Sequence, residues 1–125
     1  MRRQGFSSRW VETSVGPVHV YEGRGLADEG TVVFLHGFSA SGGQFGPVLR
    51  RVRPGFRRLL ALDLPAHGGS PVPSTGPRYE GLRDGMFEAL DQLLPFGGRA
   101  MVVGNSMGGF GAIRQRGRCA GGLPP

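Results

Sequence analysis

The sequence contains no lysine and a single cysteine, Cys119, among its 125 residues. One thiol cannot form a disulfide within the chain, which excludes a fold held by internal disulfides. No apolar run approaches the roughly 20 residues that span a bilayer. The stretch that follows Met1 is polar and basic, without the apolar segment of a signal peptide. We therefore expect a cytoplasmic protein with no membrane partner.

All fifteen basic residues are arginines, and together with nine acidic residues they give a formal net charge of +6. A basic balance is common in proteins that bind nucleic acids. Here the arginines are scattered, and no nucleic-acid-binding motif accompanies them. The absence of lysine points instead to a coding bias toward arginine, so we expect no nucleic-acid partner and regard a basic binding module as the least supported interpretation. The one local cluster comprises Arg50, Arg51, Arg53, Arg57 and Arg58.

Apolar runs and turn residues divide the chain into alternating strands and helices. Residues 10–15 and 18–21 predict a hairpin that turns at Gly16-Pro17. The alternation of strands and helices after the hairpin predicts a parallel sheet with helices on both faces, and the hairpin extends this sheet at one edge. Continuous apolar runs predict buried strands at 31–35, 56–64 and 100–103, and apolar spacings of three and four predict helices at 44–53, at 80–94 and from 107 to about 113.

A serine stands at the apex of a predicted strand–turn–helix segment. Gly104-Asn105-Ser106-Met107-Gly108 fits the pattern G-x-S-x-G, known as the nucleophile elbow. The two glycines leave space for a strained turn, which lifts the hydroxyl out of the sheet and toward a helix N-terminus. This geometry serves acyl transfer by a nucleophilic serine. The alternative is an ordinary strand-to-helix turn that happens to carry a small residue.

Two further motifs follow the two preceding buried strands: His36-Gly37-Phe38 after the first, and the segment DLPAHGGS at residues 63–70 after the second. With the serine motif after the third strand, this order resembles the amino-terminal half of an α/β-hydrolase, over residues from about 10 to 114. The resemblance implies the α/β class and a partial α/β-hydrolase fold, with a mostly parallel sheet, an antiparallel N-terminal hairpin and flanking helices. It also implies a hydrolase that acts on a small-molecule, ester-like substrate without a metal or other cofactor.

The resemblance also assigns roles to individual residues. Ser106 maps onto the nucleophile, and the backbone N–H groups of Phe38 and Met107 map onto the donors of the oxyanion hole. Each such donor is worth roughly 3–4 kcal/mol in the transition state. His36 is expected to be structural rather than a base. The supporting motif residues are His36, Gly37, Gly104, Asn105 and Gly108.

The acid and the base that the family places after the nucleophile are not found in this chain. The nineteen residues after Ser106 contain no histidine and no carboxylate side chain. Asp63 and His67 could complete a triad with Ser106, but their loop pattern resembles one in which neither residue is catalytic. Since a serine without a base is a poor nucleophile, we expect weak activity or none.

These observations divide the chain into residues 1–114, the N-terminal half of an α/β-hydrolase domain, and residues 115–125, an irregular tail that is out of frame or disordered. In such a truncated domain the strand at 100–103 becomes an open edge through which the chain can self-associate. The predicted function is an ester-type serine hydrolase with an acyl-enzyme intermediate. Two alternatives stay open. The asparagine before the nucleophile, Asn105, makes the motif similar to that of family members that cleave C–C bonds. A non-catalytic remnant also explains the missing acid and base.

Overall fold

Five strands and two helices make up the described part of the protein. The computed structural model describes residues 5–36, 42–76, 78–94 and 100–104. None of the helices in those ranges is long and apolar enough to cross a membrane. Short 3-10 turns precede and follow the first helix, at Gly42–Phe45 and Arg53–Gly55. The elements in chain order are β1 (Phe6–Thr13), β2 (Gly16–Arg24), β3 (Thr31–Leu35), α1 (Gly46–Val52), β4 (Arg58–Asp63), α2 (Tyr79–Leu93) and β5 (Ala100–Gly104).

The five strands form one mixed sheet in the order β1-β2-β4-β3-β5. β2 pairs antiparallel with both β1 and β4, whereas β3 pairs parallel with both β4 and β5. Four strands therefore run in one direction and only β2 runs in the other. This arrangement confirms the predicted α/β class with a mostly parallel sheet and an N-terminal hairpin at one edge.

The hairpin turns earlier than the sequence predicted. Gly16 already pairs with Thr13, and Pro17 pairs with Glu12, so both predicted turn residues belong to β2. The Thr13 hydroxyl is the cause, because it donates to the carbonyl of Gly16 at 2.6 Å and accepts the Val15 N–H at 3.3 Å. A side chain thus closes the turn at residues 14 and 15, which the Gly-Pro pair alone did not reveal.

The two helices cover opposite faces of the sheet. Alternate residues of β3 and β4 point to opposite faces, so these strands are buried on both sides, as their continuous apolar runs predicted. The α2 face of the sheet packs Val33, Leu35, Leu60 and Leu62 against Leu82, Met86 and Leu90. The α1 face packs Val32, Phe34, Leu59 and Ala61 against Leu49.

β5 is only half-buried, which corrects the prediction of a strand covered on both faces. Ala100 and Val102 pack against the core on the α2 face. Met101 and Val103, on the α1 face, are 54% and 38% exposed. Within the described ranges α1 lies over β3 and β4 but not over β5, so these apolar side chains have no cover there.

Candidate active site

The carboxyl ends of β3 and β5 lie side by side at the point where the strand order reverses. From β3 the chain passes through α1 to β4 on one side, and from β4 it passes through α2 to β5 on the other side. Ligands of open α/β sheets bind in the crevice that such a reversal opens at the carboxyl ends of the strands. Leu35 and Gly104, the last residues of the two strands, are partners in the register. The His-Gly motif and the serine motif therefore begin at the same level of neighbouring strands.

Two of the predicted site residues, His36 and Gly104, are within the described ranges. The predicted nucleophile and oxyanion donors, with their supporting residues, fall outside those ranges, and their roles stay predictions. They are Gly37, Phe38, Asn105, Ser106, Met107 and Gly108.

His36 is fully buried at the end of β3 and links two loops. Its Nε2 atom accepts the backbone N–H of Leu64 at 2.9 Å, and its ring lies 5.0 Å from the ring of His67. The bond to Leu64 uses the Nε2 lone pair that a general base needs for a proton. The contact therefore fits the structural role that the sequence suggested for His36.

The Asp63 carboxylate, at the end of β4, is fully buried and holds the loop that follows it. Its Oδ1 atom accepts the N–H of Gly42 at 2.7 Å, and its Oδ2 atom accepts the N–H of Gly69 at 2.9 Å. Gly68 has a φ of +52°, and a Cβ atom there would lie 2.4 Å from the Asp63 Cγ. The loop can wrap around the carboxylate because glycine occupies that position.

The loop after β4 is fixed by its own polar side chains as well. Ser70 is buried; its hydroxyl donates to the carbonyl of Asp63 and accepts the backbone N–H of His19 at 2.7 Å. His67 lies 3.0 Å from the carbonyl of Pro65 through its Nδ1 atom. These contacts agree with a loop that packs and turns, which is the role the sequence indicated for this segment.

The histidine partner of Asp63 is His19, a residue that the sequence analysis missed. His19 Nδ1 lies 2.8 Å from Asp63 Oδ2, and His19 Nε2 lies 2.9 Å from the Ser8 hydroxyl oxygen. The rings of Trp10 and Tyr21 lie 4.9 Å and 4.7 Å from the His19 ring. His19 is 7% exposed between two buried valines of β2, and a polar residue inside an apolar run was the one available signal.

A separate polar cluster lies at the amino end of β4. Partial burial tends to raise the pKa of Glu22, but hydrogen bonds and charges from Arg58 and Arg9 outweigh it and hold that pKa below its ordinary value. The Glu22 carboxylate lies 2.7 Å from Arg58 Nε and 3.1 Å from an Arg9 guanidinium nitrogen. The cluster borders a cavity of about 430 Å³, lined by Gly5, Ser7, Glu22, Gly23, Arg24, Arg57 and Arg58. This cavity is far from the carboxyl ends of β3 and β5.

Comparison with known proteins agrees with this architecture. A putative non-heme haloperoxidase of Mycobacterium phage D29 is 36% identical over 88 residues, which is 68% of this chain and 31% of that protein. Protein PHYLLO, chloroplastic, of Arabidopsis thaliana is 34% identical over 89 residues, which is 64% of this chain and 5% of that protein. Among solved structures, the N-acyl homoserine lactonase AidH, a mutant complexed with N-hexanoyl homoserine, has a TM-score of 0.73 and 32% identity.

The lactonase match covers 92% of this chain and 42% of the lactonase chain. The chain thus spans less than half the length of each of these relatives. The sequence profile described as the alpha/beta hydrolase family matches residues 32–123. That match takes in all three motifs and the strands that precede them, and this protein belongs to the alpha/beta hydrolase family.

Proposed function

We propose that the protein is an ester-type serine hydrolase with Ser106 as its nucleophile. The observation that carries the proposal is the register of the two parallel strands, in which Leu35 is the partner of Gly104. Phe38 is three residues beyond Leu35, and Ser106 is two residues beyond Gly104. At up to about 3.6 Å per residue, both motifs stay within roughly 11 Å of adjacent strand ends. One small acyl group can therefore meet both motifs.

In the proposed reaction the Ser106 hydroxyl oxygen attacks a carbonyl carbon, and the alcohol of the ester leaves. The backbone N–H groups of Phe38 and Met107 stabilise the oxyanion that forms on the carbonyl oxygen, each by roughly 3–4 kcal/mol. The helix predicted to begin after Ser106 adds the positive end of its dipole at the same place. Water then hydrolyses the acyl-enzyme and regenerates the serine.

The substrate class we propose is a small-molecule ester, including cyclic esters. The support is the similarity to the N-acyl homoserine lactonase, since a lactone is an internal ester and the two chains are 32% identical over most of this chain. The fold of the family alone does not select an ester. The serine motif is the feature that favours acyl transfer.

None of the three histidines of this chain is proposed as the base for Ser106. His36 uses its Nε2 lone pair for Leu64, and His19 lies between Asp63 and Ser8. His67 lies 3.0 Å from the Pro65 carbonyl through its Nδ1 atom, in the loop after β4. In a serine protease, loss of the catalytic histidine costs roughly 10⁶ in turnover. Oxyanion donors and binding alone leave roughly 10³–10⁴ over water. We therefore expect this chain to acylate at Ser106 slowly.

The test is labelling of the chain with a fluorophosphonate, followed by tryptic digestion and mass spectrometry. Residues 100–114 form one tryptic peptide with Ser106 as its single serine. The expected result is slow, single modification of that peptide, abolished by Ser106→Ala and unchanged by Ser74→Ala, which removes an exposed loop serine. A folded chain whose 100–114 peptide stays unmodified over days would overturn the proposal and favour the non-catalytic remnant.

A further inference from the structure

We propose that Ser8, His19 and Asp63 form a second acyl-accepting site, which is built on β1, β2 and β4 and does not include the Ser106 motif. The Ser8 hydroxyl oxygen lies 2.9 Å from His19 Nε2, and His19 Nδ1 lies 2.8 Å from Asp63 Oδ2. The order is nucleophile, base and acid, with each pair at hydrogen-bond distance. This is the arrangement that activates a serine in unrelated hydrolases. The inference does not depend on the function proposed for Ser106.

The hydrogen bonds fix the direction in which a proton can move. An ionised Asp63 carboxylate only accepts, so His19 Nδ1 must donate to it. The neutral imidazole then has a free lone pair on Nε2, and the Ser8 hydroxyl donates to that atom. His19 is therefore held in the tautomer that a general base requires.

Exposure to solvent increases from Asp63 through His19 to Ser8, as a reactive serine requires. Asp63 is fully buried and is also held by the N–H groups of Gly42 and Gly69, so its orientation is set before any reaction. His19 is 7% exposed, whereas Ser8 is exposed on the edge strand β1. A network that served only to join strands would have no need for an accessible hydroxyl at its outer end.

The surroundings of Ser8 favour a small, flat reactant. Trp10 is two residues along β1 on the same face, is 52% exposed, and has its ring 4.9 Å from the His19 ring. Tyr21 is the register partner of Ser8, and its ring packs edge-on against His19. Burial, with a smaller contribution from the Asp63 charge, raises the pKa of Tyr21, so its hydroxyl stays a neutral donor. An open surface with aromatic walls suits a small activated aryl ester.

The proposed step balances without any further reagent. Ser8 Oγ bonds to the carbonyl carbon of the ester while its proton moves to His19 Nε2. The bond from the carbonyl carbon to the aryl oxygen breaks, and the phenolate takes the proton from the imidazolium. Asp63 stabilises the imidazolium that exists between these two events. Water, deprotonated by the same histidine, later hydrolyses the acyl-serine.

The experiment uses diisopropyl fluorophosphate as the probe, because its phosphorus forms a stable bond to a serine oxygen and fluoride leaves. The chain is tested with Ser106→Ala in place, so that label at the first site cannot contribute. Residues 4–9 form one tryptic peptide that contains Ser7 and Ser8, and fragment ions separate the two. Ser7 is the matched control, since it is also exposed but donates to the carbonyl of Glu22 at 3.3 Å and not to a histidine.

The expected result is modification of Ser8 about 100-fold faster than of Ser7, the lower end of what a positioned base contributes. Ser8→Ala abolishes the label, and Ser7→Ala leaves it unchanged. His19→Asn slows it about 100-fold, because the asparagine amide can still donate to Asp63 while the base facing Ser8 is gone. Circular dichroism shows whether that variant stays folded.

Equal modification of Ser7 and Ser8, or a folded His19→Asn variant that labels at the original rate, would overturn the inference. The comparison of the labelling rates of Ser7 and Ser8 tests the inference even if the His19→Asn variant does not fold. The two sites are read from different peptides, so the outcomes are independent. Label on residues 100–114 of the unsubstituted chain without label on Ser8 refutes this inference and leaves the proposed function standing. Label on Ser8 without label on residues 100–114 supports this inference and refutes the proposed function.

Discussion

The Asp63 carboxylate connects three parts of the fold through one side chain. It accepts N–H groups from the turn before α1 and from the loop after β4, and it pairs with His19 of β2. The carboxylate itself is fully buried, and Gly42 and His19 are buried beside it, whereas Gly69 lies at the surface. A charge buried in this way is stable only with its partners in place. Asp63 is therefore as important to the geometry of the loop as to the proposed site with Ser8 and His19.

Replacement of Asp63 by alanine is expected to lower the free energy of unfolding by about 3–5 kcal/mol, because it leaves two buried donors, the Gly42 N–H and the His19 Nδ1–H, without an acceptor. Urea denaturation followed by circular dichroism measures this. Asp84→Ala is the control, since the Asp84 side chain is 46% exposed and its ion pair, among the described residues, is with its neighbour Arg83. That change should cost no more than about 0.5 kcal/mol. Equal costs for the two variants would contradict a structural role for the Asp63 carboxylate.

Gly68 gives a second test at the scale of single residues. Gly68→Ala places a side chain at a φ of +52° and a Cβ atom 2.4 Å from the Asp63 Cγ. The backbone strain costs about 1–2 kcal/mol and the collision about 1–3 kcal/mol more. Gly76→Ala is the control for a positive φ, because Gly76 has a φ of +96° and, beyond its chain neighbours, no described residue lies within 4 Å of the added Cβ. Since +96° is the more strained φ for alanine, a thermal unfolding midpoint that is lower for Gly68→Ala reports the collision, and a Gly68→Ala variant as stable as the unsubstituted chain would mean that the loop does not close on Asp63.

Charged side chains link the strands β1, β2 and β4 at one end of the sheet. Glu22 of β2 pairs with Arg9 of β1 and with Arg58 of β4, and Arg58 also donates to the carbonyl of Leu93 at the end of α2. Four elements therefore meet through one carboxylate and two guanidinium groups. The arrangement stabilises the junction of the hairpin with the parallel strands only while Glu22 is ionised.

The pH dependence of stability should report this junction. The folded pKa of Glu22 lies below its ordinary value, so its contribution is present above the unfolded pKa and is lost as the pH falls through the folded one. Glu22→Gln should therefore flatten the fall in urea midpoint between neutral pH and about pH 3. Arg58→Ala should flatten it more than Arg9→Ala, because the hydrogen bond from Arg58 is the larger stabilising cause. An unchanged pH profile in Glu22→Gln would refute this account.

Elements with a strong repeating pattern were predicted well from the sequence, and tertiary contacts explain the misses. The run at 31–35 is β3 with the same limits, and the helix predicted at 80–94 is Tyr79–Leu93. Burial of one stripe or of both faces leaves such a pattern in the sequence. The hairpin turn depends on the Thr13 hydroxyl, and the His19–Asp63 pair joins residues 44 positions apart. No local pattern records contacts of that kind.

At the scale of the whole molecule, the described sheet has two unequal edges. β1 ends the sheet on one side; it buries Phe6 and Val11 in the core and exposes the four residues between them. β5 ends it on the other side in the described ranges, with Met101 and Val103 exposed on its α1 face. An apolar edge strand presents free backbone groups beside apolar side chains, which is the combination that recruits another strand. The second edge is therefore where association between copies is expected.

Self-association should consequently depend on β5. Sedimentation velocity at increasing concentration is expected to show dimers and larger species of the unsubstituted chain. The double substitution Met101→Lys with Val103→Lys should shift the protein toward monomer, because lysine on an edge strand opposes pairing. Val72→Lys with Ser74→Lys is the control, since both residues are exposed in the loop after β4 and the pair gains the same two charges away from the edge. The Met101/Val103 variant should retain its fold, because both side chains are substantially exposed. If the unsubstituted chain stays monomeric at about 100 μM, or if the Val72/Ser74 variant dissociates it equally well, then net charge or another surface governs association and the β5 edge does not.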